Sequence, residues 1–199
     1  LNNDNIKYNF FKTIDGRELI LNKRMFRKSY LEKNSDVPFQ LYKGSIGCSL
    51  SHIRLWIQIY NNPDYEDEDN ILILEDDVQF GPLLQQRIEF NLNNLPKKWD
   101  VFYLGRKYLI GKIVNKYYVK GAKTGRKGAN TSSYAYVIKK KSCKKIADII
   151  YPLSNIEQDI PLRNNMDKFN AYFLLMPLVK VDKQKFKSCI NESNNGKRL

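Results

Sequence analysis

The chain has 199 residues, 42% hydrophobic and 13% aromatic, which suits one domain with a proper core and excludes a disordered chain. No apolar run approaches the ~18 residues of a membrane helix. Net charge is +13, and with no nucleic-acid motif beside it the surplus points to solubility or to anionic partners such as a nucleotide diphosphate or an acidic glycan.

Phe10 to Ile14 reads as a strand, followed by an Asp15-Gly16 turn. Residues 17–40 read as helical and loop material. Ile46 to Tyr60 reads as an amphipathic helix, with Leu50, Ile53, Trp56, Ile57 and Tyr60 as one buried stripe. Asn61-Asn62-Pro63 ends it, and Asp64 to Asn70 is an acidic loop, most simply a solvated turn. The aliphatic run at 71–74 predicts a strand over 71–75, buried on both faces as in a parallel sheet. Gly81-Pro82 starts a helix to about Leu95, with Pro82 in its first turn. Val101 to Leu104 is a second buried strand. Residues 106–130 read as short strands or a hairpin with a mobile loop at Lys120 to Asn130. A strand over 133–138, helices near 140–150 and 155–166, and short strands at Ala171–Leu175 and Leu178–Val181 follow. Lys139-Lys140-Lys141 with Lys144-Lys145 reads as a solvated helix face. Alternating strands and helices imply an α/β fold, a mixed sandwich over residues 1–182, with a basic polar tail over 183–199.

The strand at 71–75 stops at three carboxylates, Glu75, Asp76 and Asp77. Strand C-termini are where open α/β sheets place ligands, and Mg²⁺ and Mn²⁺ favour carboxylate oxygens. If the strand continued, Glu75 and Asp77 would share a side and Asp76 would face away. An acid-x-acid pair holding a metal against a diphosphate suits a sugar-nucleotide transferase. Phosphoacceptor domains and metal phosphatases also carry acidic strand ends. His52, the only histidine, sits on the first helix beside Ser51. It either contacts a donor or, with Ser51, locks the helix to the acidic strand end. Gly44 and Gly47 fit close backbone approach, to a phosphate or simply in a turn. Thr131, Ser132 and Ser133 offer hydroxyls to a sugar. Asn130-Thr131-Ser132 and Asn191-Glu192-Ser193 are formal glycosylation sequons and carry no weight in an Asn-rich chain. Cysteines at 48, 143 and 189 form no metal spacing and no even set; Cys48 reads as a small buried residue. They fit a reducing, cytoplasmic compartment without fixing one, and the Lys-, Asn- and Ile-rich composition suggests an AT-rich genome, as in giant viruses or low-GC bacteria.

Five segments in this order resemble glycosyltransferase family 25, which holds lipopolysaccharide glycosyltransferases and procollagen galactosyltransferases. They are Thr13-Ile14-Asp15-Gly16, Gly44 to Trp56 with its Gly-Cys-x-x-Ser-His core, Leu72 to Val78, Trp99 to Gly105, and Tyr134 to Ile138. The resemblance implies a GT-A-type nucleotide-sugar-binding domain with a mixed central sheet. It also implies Mn²⁺, or another divalent cation, and inverting transfer of a hexose, galactose or glucose, from a UDP-sugar. The acceptor would be a glycan hydroxyl or hydroxylysine in a collagen-like protein. Asp77 is the first choice as metal ligand and Glu75 the second. Thr13, Asp15, Gly47, Ser51, His52, Asp76, Ser132 and Ser133 fall to the nucleotide sugar. Asp159, with Glu157 behind it, is the candidate base for the acceptor proton. Two departures stand out: the family's opening strand has no counterpart after Leu1, and Ser188-Cys189-Ile190 replaces its Ser-Asp-Ile. They keep open a rival reading, a non-catalytic GT-A-like glycan- or collagen-binding module.

Overall fold

The computed structural model describes residues 8–131 and 133–181. Its helices and strands run α1 (Lys28–Lys33), α2 (Lys43–Asn61), β1 (Asn70–Leu74), β2 (Val78–Phe80), α3 (Leu84–Asn94), β3 (Val101–Tyr103), β4 (Gly111–Ile113), β5 (Tyr118–Gly121), β6 (Ala135–Lys139), α4 (Lys140–Ile150), α5 (Asp159–Asn164), β7 (Ala171–Leu174) and β8 (Val179–Val181). Six strands form one sheet in the order β1-β6-β3-β7-β5-β4, and β2 pairs with β8. Among the strand pairs of the described residues, β3 with β7 is the parallel one; the others are antiparallel. The expected mixed α/β architecture is present.

Side-chain alternation explains the layering. Val101, Tyr103, Tyr136, Ile138, Ala171 and Phe173 face one apolar cluster, which α2 and α4 cover with Ile53, Trp56, Ile146 and Ile150. Phe102, Leu104, Ala135, Val137, Tyr172 and Leu174 face a second cluster, closed by Leu84 and Ile88 of α3. A sheet covered on both faces explains why β3, β6 and β7 read as continuous apolar runs.

The run at 71–74 misled on this point. It forms β1, an edge strand antiparallel to β6, and within it only Ile73 is fully buried. The strand stops at Leu74, so residues 75–77 form a turn and the alternation expected of Glu75, Asp76 and Asp77 does not apply. Phe10 to Ile14 is not a strand either. It has no ladder partner among the described residues; the Ile14 N–H donates to Ser51 Oγ at 2.8 Å, the Phe11 ring lies under the Arg54 guanidinium, and Phe10 is 91% exposed.

Three smaller differences have local causes. In α2 the buried stripe runs through Ile46, Ile53, Trp56 and Ile59, while Tyr60 is 39% exposed, because the helix turns its serines and His52 inward as well. Helix α3 starts only at Leu84, after Leu83 in the left-handed conformation (φ 62°), which leaves Pro82 outside the first turn. Helix α5 covers only Asp159–Asn164. The hairpin expected within 106–130 is β4–β5. Its following loop is stapled by Asn130, whose amide accepts from Ile110 N–H and donates to the Ile110 and Ala122 carbonyls. Asn130 is 2% exposed, so its sequon is a structural asparagine. The lysine face is largely neutralised: Lys139 and Lys141 pair with Glu68 from the acidic loop, Lys144 with Asp148, and Lys145 with Asp100. The tail at 183–199 and the Cys189 departure lie outside the described residues.

Candidate functional site

Topology gathers chemistry at one edge of the sheet. Strands β1 and β3 both run antiparallel to β6, and β7 runs with β3. The C-terminal ends of β1, β3 and β7 therefore open on the same side as the start of β6. Glu75 to Asp77 follow β1 there, Gly105 to Lys107 follow β3, and Ser133-Tyr134 precede β6. Backbone bonds lace this edge: Glu75 N–H donates to the Tyr134 carbonyl at 2.8 Å, and the Arg106 guanidinium donates to the Leu175 carbonyl at 2.6 Å.

A buried polar chain orients Glu75. Trp56 Nε1–H donates to Tyr136 Oη at 2.9 Å. Tyr136 Oη lies 2.9 Å from His52 Nδ1, and His52 Nε2 lies 3.3 Å from Glu75 Oε1. One proton arrangement satisfies every member: the indole donates to the phenol, the phenol to Nδ1, and Nε2–H to the carboxylate. The tautomer is assigned from this network. The locking role expected of His52 is visible here: it ties α2 to Glu75 at the acidic strand end. Tyr136 and Trp56 carried no site expectation, although both lie in the quoted motifs; their pairing across 80 residues has no local signal.

Asp77 is the unsatisfied member. Its Oδ1 is buried and has no hydrogen-bond partner among the described residues. Burial, then the charges of Glu75 and Asp76, push its carboxyl above the ordinary range. Asp76 is exposed. A buried carboxylate oxygen without a donor, beside two further carboxylates, fits a hard divalent cation: the ion would supply the missing partner and cancel the repulsion.

Asp159 enters the same group at the start of α5. Desolvation dominates, and Glu75 adds to it, raising its carboxyl to about 6, while the Ser133 hydroxyl bonds to it and the Lys107 charge opposes the rise. Asp159, Ser133, Glu75 and His52 thus converge from four elements. Glu157 is exposed. Gln158 is buried, with neither end of its amide partnered among the described residues. The Cys48 thiol feels Glu75, Asp159, Asp77 and Glu157, and burial above all pushes it up, so it rests protonated. Lys107 and Cys48 lie beside this cluster with no sequence signal for it, because only the fold brings them there.

The remaining candidates sit differently. Thr13 is exposed, and Asp15 is held by Arg17 at 2.6 Å, which draws its carboxyl down to about 2. Both line an open cleft with Ile14, Glu18, Leu19 and Ile20 that does not include Glu75, Asp77 or Asp159. Gly47 faces protein: a Cβ on it would lie 3.0 Å from the Gly16 backbone, so its close approach is to the Asp15-Gly16 segment. Ser51 Oγ donates to the Gly47 carbonyl at 2.7 Å while accepting from Ile14, clamping that segment onto α2. Ser132 lies outside the described residues.

A six-stranded mixed sheet between helical layers is consistent with a GT-A-like fold. The family model described as Glycosyltransferase family 25 (LPS biosynthesis protein) matches residues 1–162. The chain belongs to glycosyltransferase family 25. It is 32% identical over 107 residues to a glycosyltransferase 25 family member of Aedes aegypti, covering 50% of this chain and 17% of that protein. It is 28% identical over 177 residues to a procollagen lysyl hydroxylase and glycosyltransferase of Acanthamoeba polyphaga mimivirus, covering 79% of this chain and 19% of that protein. A bovine relative named a probable inactive glycosyltransferase 25 family member 3 is 38% identical over 72 residues, 34% of this chain and 11% of that protein. The chain thus spans a fifth or less of the curated relatives it matches. Among the described residues no helix is long and apolar enough to cross a membrane.

Proposed function

We infer that this domain transfers a hexose from a UDP-sugar to a hydroxyl acceptor, with a divalent cation held by Asp77 and Glu75 and with inversion at the anomeric carbon. The observation that supports it best is the buried Asp77 oxygen, without a partner among the described residues, beside two other carboxylates at the edge where the same-direction strands end. The cation, when bound, supplies a Lewis acid for the leaving diphosphate. The protein's own groups do the rest. His52 and Tyr136 fix the Glu75 carboxylate, and Asp76, exposed at the turn, offers oxygens to ribose or sugar hydroxyls. Asp159 takes the acceptor proton, and Ser133 holds it in place. Thr13 and Asp15 line a cleft that suits the nucleoside end of the donor. The names of the relatives point to a collagen-like or lipopolysaccharide-type acceptor. The alternative, a non-catalytic glycan- or collagen-binding module, draws on the bovine relative being named a probable inactive member.

A panel of UDP-hexoses incubated with Mn²⁺ separates the two. The transferase releases UDP from one of them, in a reaction that chelator stops. UDP release from none, with or without a collagen-type acceptor peptide, would favour the binding module.

A further inference from the structure

The geometry points to a second, softer metal site at the same edge: Cys48, His52 and Glu75 form a zinc-type site through which Zn²⁺ shuts the domain off. One ligand atom from each of the three lies within 4.8 Å of the other two. His52 Nε2 and Glu75 Oε1 are 3.3 Å apart, which is the separation of two ligands that each sit ~2.0 Å from a tetrahedral ion. The set is sulfur, nitrogen and one carboxylate oxygen, the donor chemistry of zinc and not of manganese, which takes oxygen-rich sites. Cys48 and His52 are four residues apart on α2, so both point from one helix face toward the strand end. His52 is 6% exposed while Cys48 and Glu75 are half-buried, so the ligands are preset and the open side remains for a fourth ligand from water.

Binding balances as a proton exchange. Zn²⁺ bonds to Cys48 Sγ, and the thiol proton leaves to solvent. The Nε2 proton of His52 relocates to Nδ1, where Tyr136 Oη receives it as a hydrogen bond, the kind of outer partner that zinc-bound histidines keep. Zinc also binds mixed N/S/O sites more tightly than manganese does. The inhibitory consequence rests on the transferase reading, because Glu75 then serves zinc and no longer faces the diphosphate-bearing cation with Asp77.

Cobalt is the probe, since its colour reports geometry and thiolate bonding. Co²⁺ added to the wild-type domain is expected to give the intense visible bands of a tetrahedral ion together with a sulfur-to-metal charge-transfer band. Zn²⁺ should bleach both, and Cys48→Ser should lose both. Cys143 lies fully buried in the apolar core cluster, and the Cys48→Ser control also accounts for any signal from Cys143 or Cys189. In the activity arm, Zn²⁺ abolishes Mn²⁺-dependent UDP release from wild type. Cys48→Ser keeps that activity and needs at least about 10–100-fold more Zn²⁺ for half-inhibition, given that losing even an outer partner costs a metal site that much. A pale, octahedral cobalt spectrum unchanged by Cys48→Ser overturns the soft site and leaves the transferase reading standing. Thiolate bands with no UDP release under any metal uphold the soft site and overturn the transferase reading.

Discussion

Asp159→Asn is expected to lower sugar transfer by ~10²–10⁴-fold, the usual contribution of a positioned base, while making the protein more stable at neutral pH. The two effects share one cause. The carboxyl is raised from an ordinary 3.8 to about 6 by desolvation and by Glu75, so the folded state resists its charge. A group raised in this way favours folding fully below pH ~4 and loses that benefit as pH climbs through about 6. Each pKa unit is worth ~1.4 kcal/mol, so the charge costs at most about 3 kcal/mol at pH 8, less whatever solvent reaches it. The neutral amide escapes that cost and can still bond to Ser133. Wild type and variant should therefore differ in melting temperature at pH 8 and converge near pH 4. The acidic limb of wild-type transfer should fall near pH 6. Donor and Mn²⁺ affinity should hold. If donor affinity collapses along with transfer, Asp159 binds metal or sugar and is not the base.

Asp77→Asn should behave differently. Transfer is expected to fall by at least about 10²-fold, since disturbing even the outer shell of a metal site costs 10–100-fold. The unliganded protein should melt higher than wild type, because three neighbouring carboxylates repel one another and one of the charges is gone. Its melting temperature should then stop responding to Mn²⁺, whereas the wild-type value rises on binding the ion. A residue that merely packed would lower the melting temperature and leave the Mn²⁺ response intact. Thermal melts with and without Mn²⁺ on both proteins separate these cases.

Part of this site was legible in the sequence because local patterns encode it. Glu75, Asp76 and Asp77 are adjacent, and Ser51 with His52 sits in a compact motif on a helix whose period is plain. Helix α4 carries a plain amphipathic period, and strands β3, β6 and β7 carry uninterrupted apolar signals. What stayed hidden depends on pairings across long separations. The aliphatic run of β1 cannot say that its neighbour is antiparallel and that its other side is an edge. Phe10 to Ile14 has strand composition but no ladder partner among the described residues, and a serine and an arginine on α2 hold it. Cys48, Trp56 and Tyr136 come to the site only because α2 packs against β6, and Lys107 because β3 ends beside the start of β6. For Gly47 the sequence left a phosphate and a simple turn both open, and what a Cβ on it would meet is the backbone of Gly16, 31 positions away in this numbering.

The most direct test of the account is calorimetric titration of UDP into the wild-type domain, once with Mn²⁺ and once with chelator. Two phosphates brought beside Glu75, Asp76 and Asp77 repel them unless a cation lies between. The expected result is clear binding with Mn²⁺ and a large loss of affinity in chelator. Equal affinity in the two titrations would contradict the account, since the diphosphate would then lie away from the acidic edge on which the whole assignment rests.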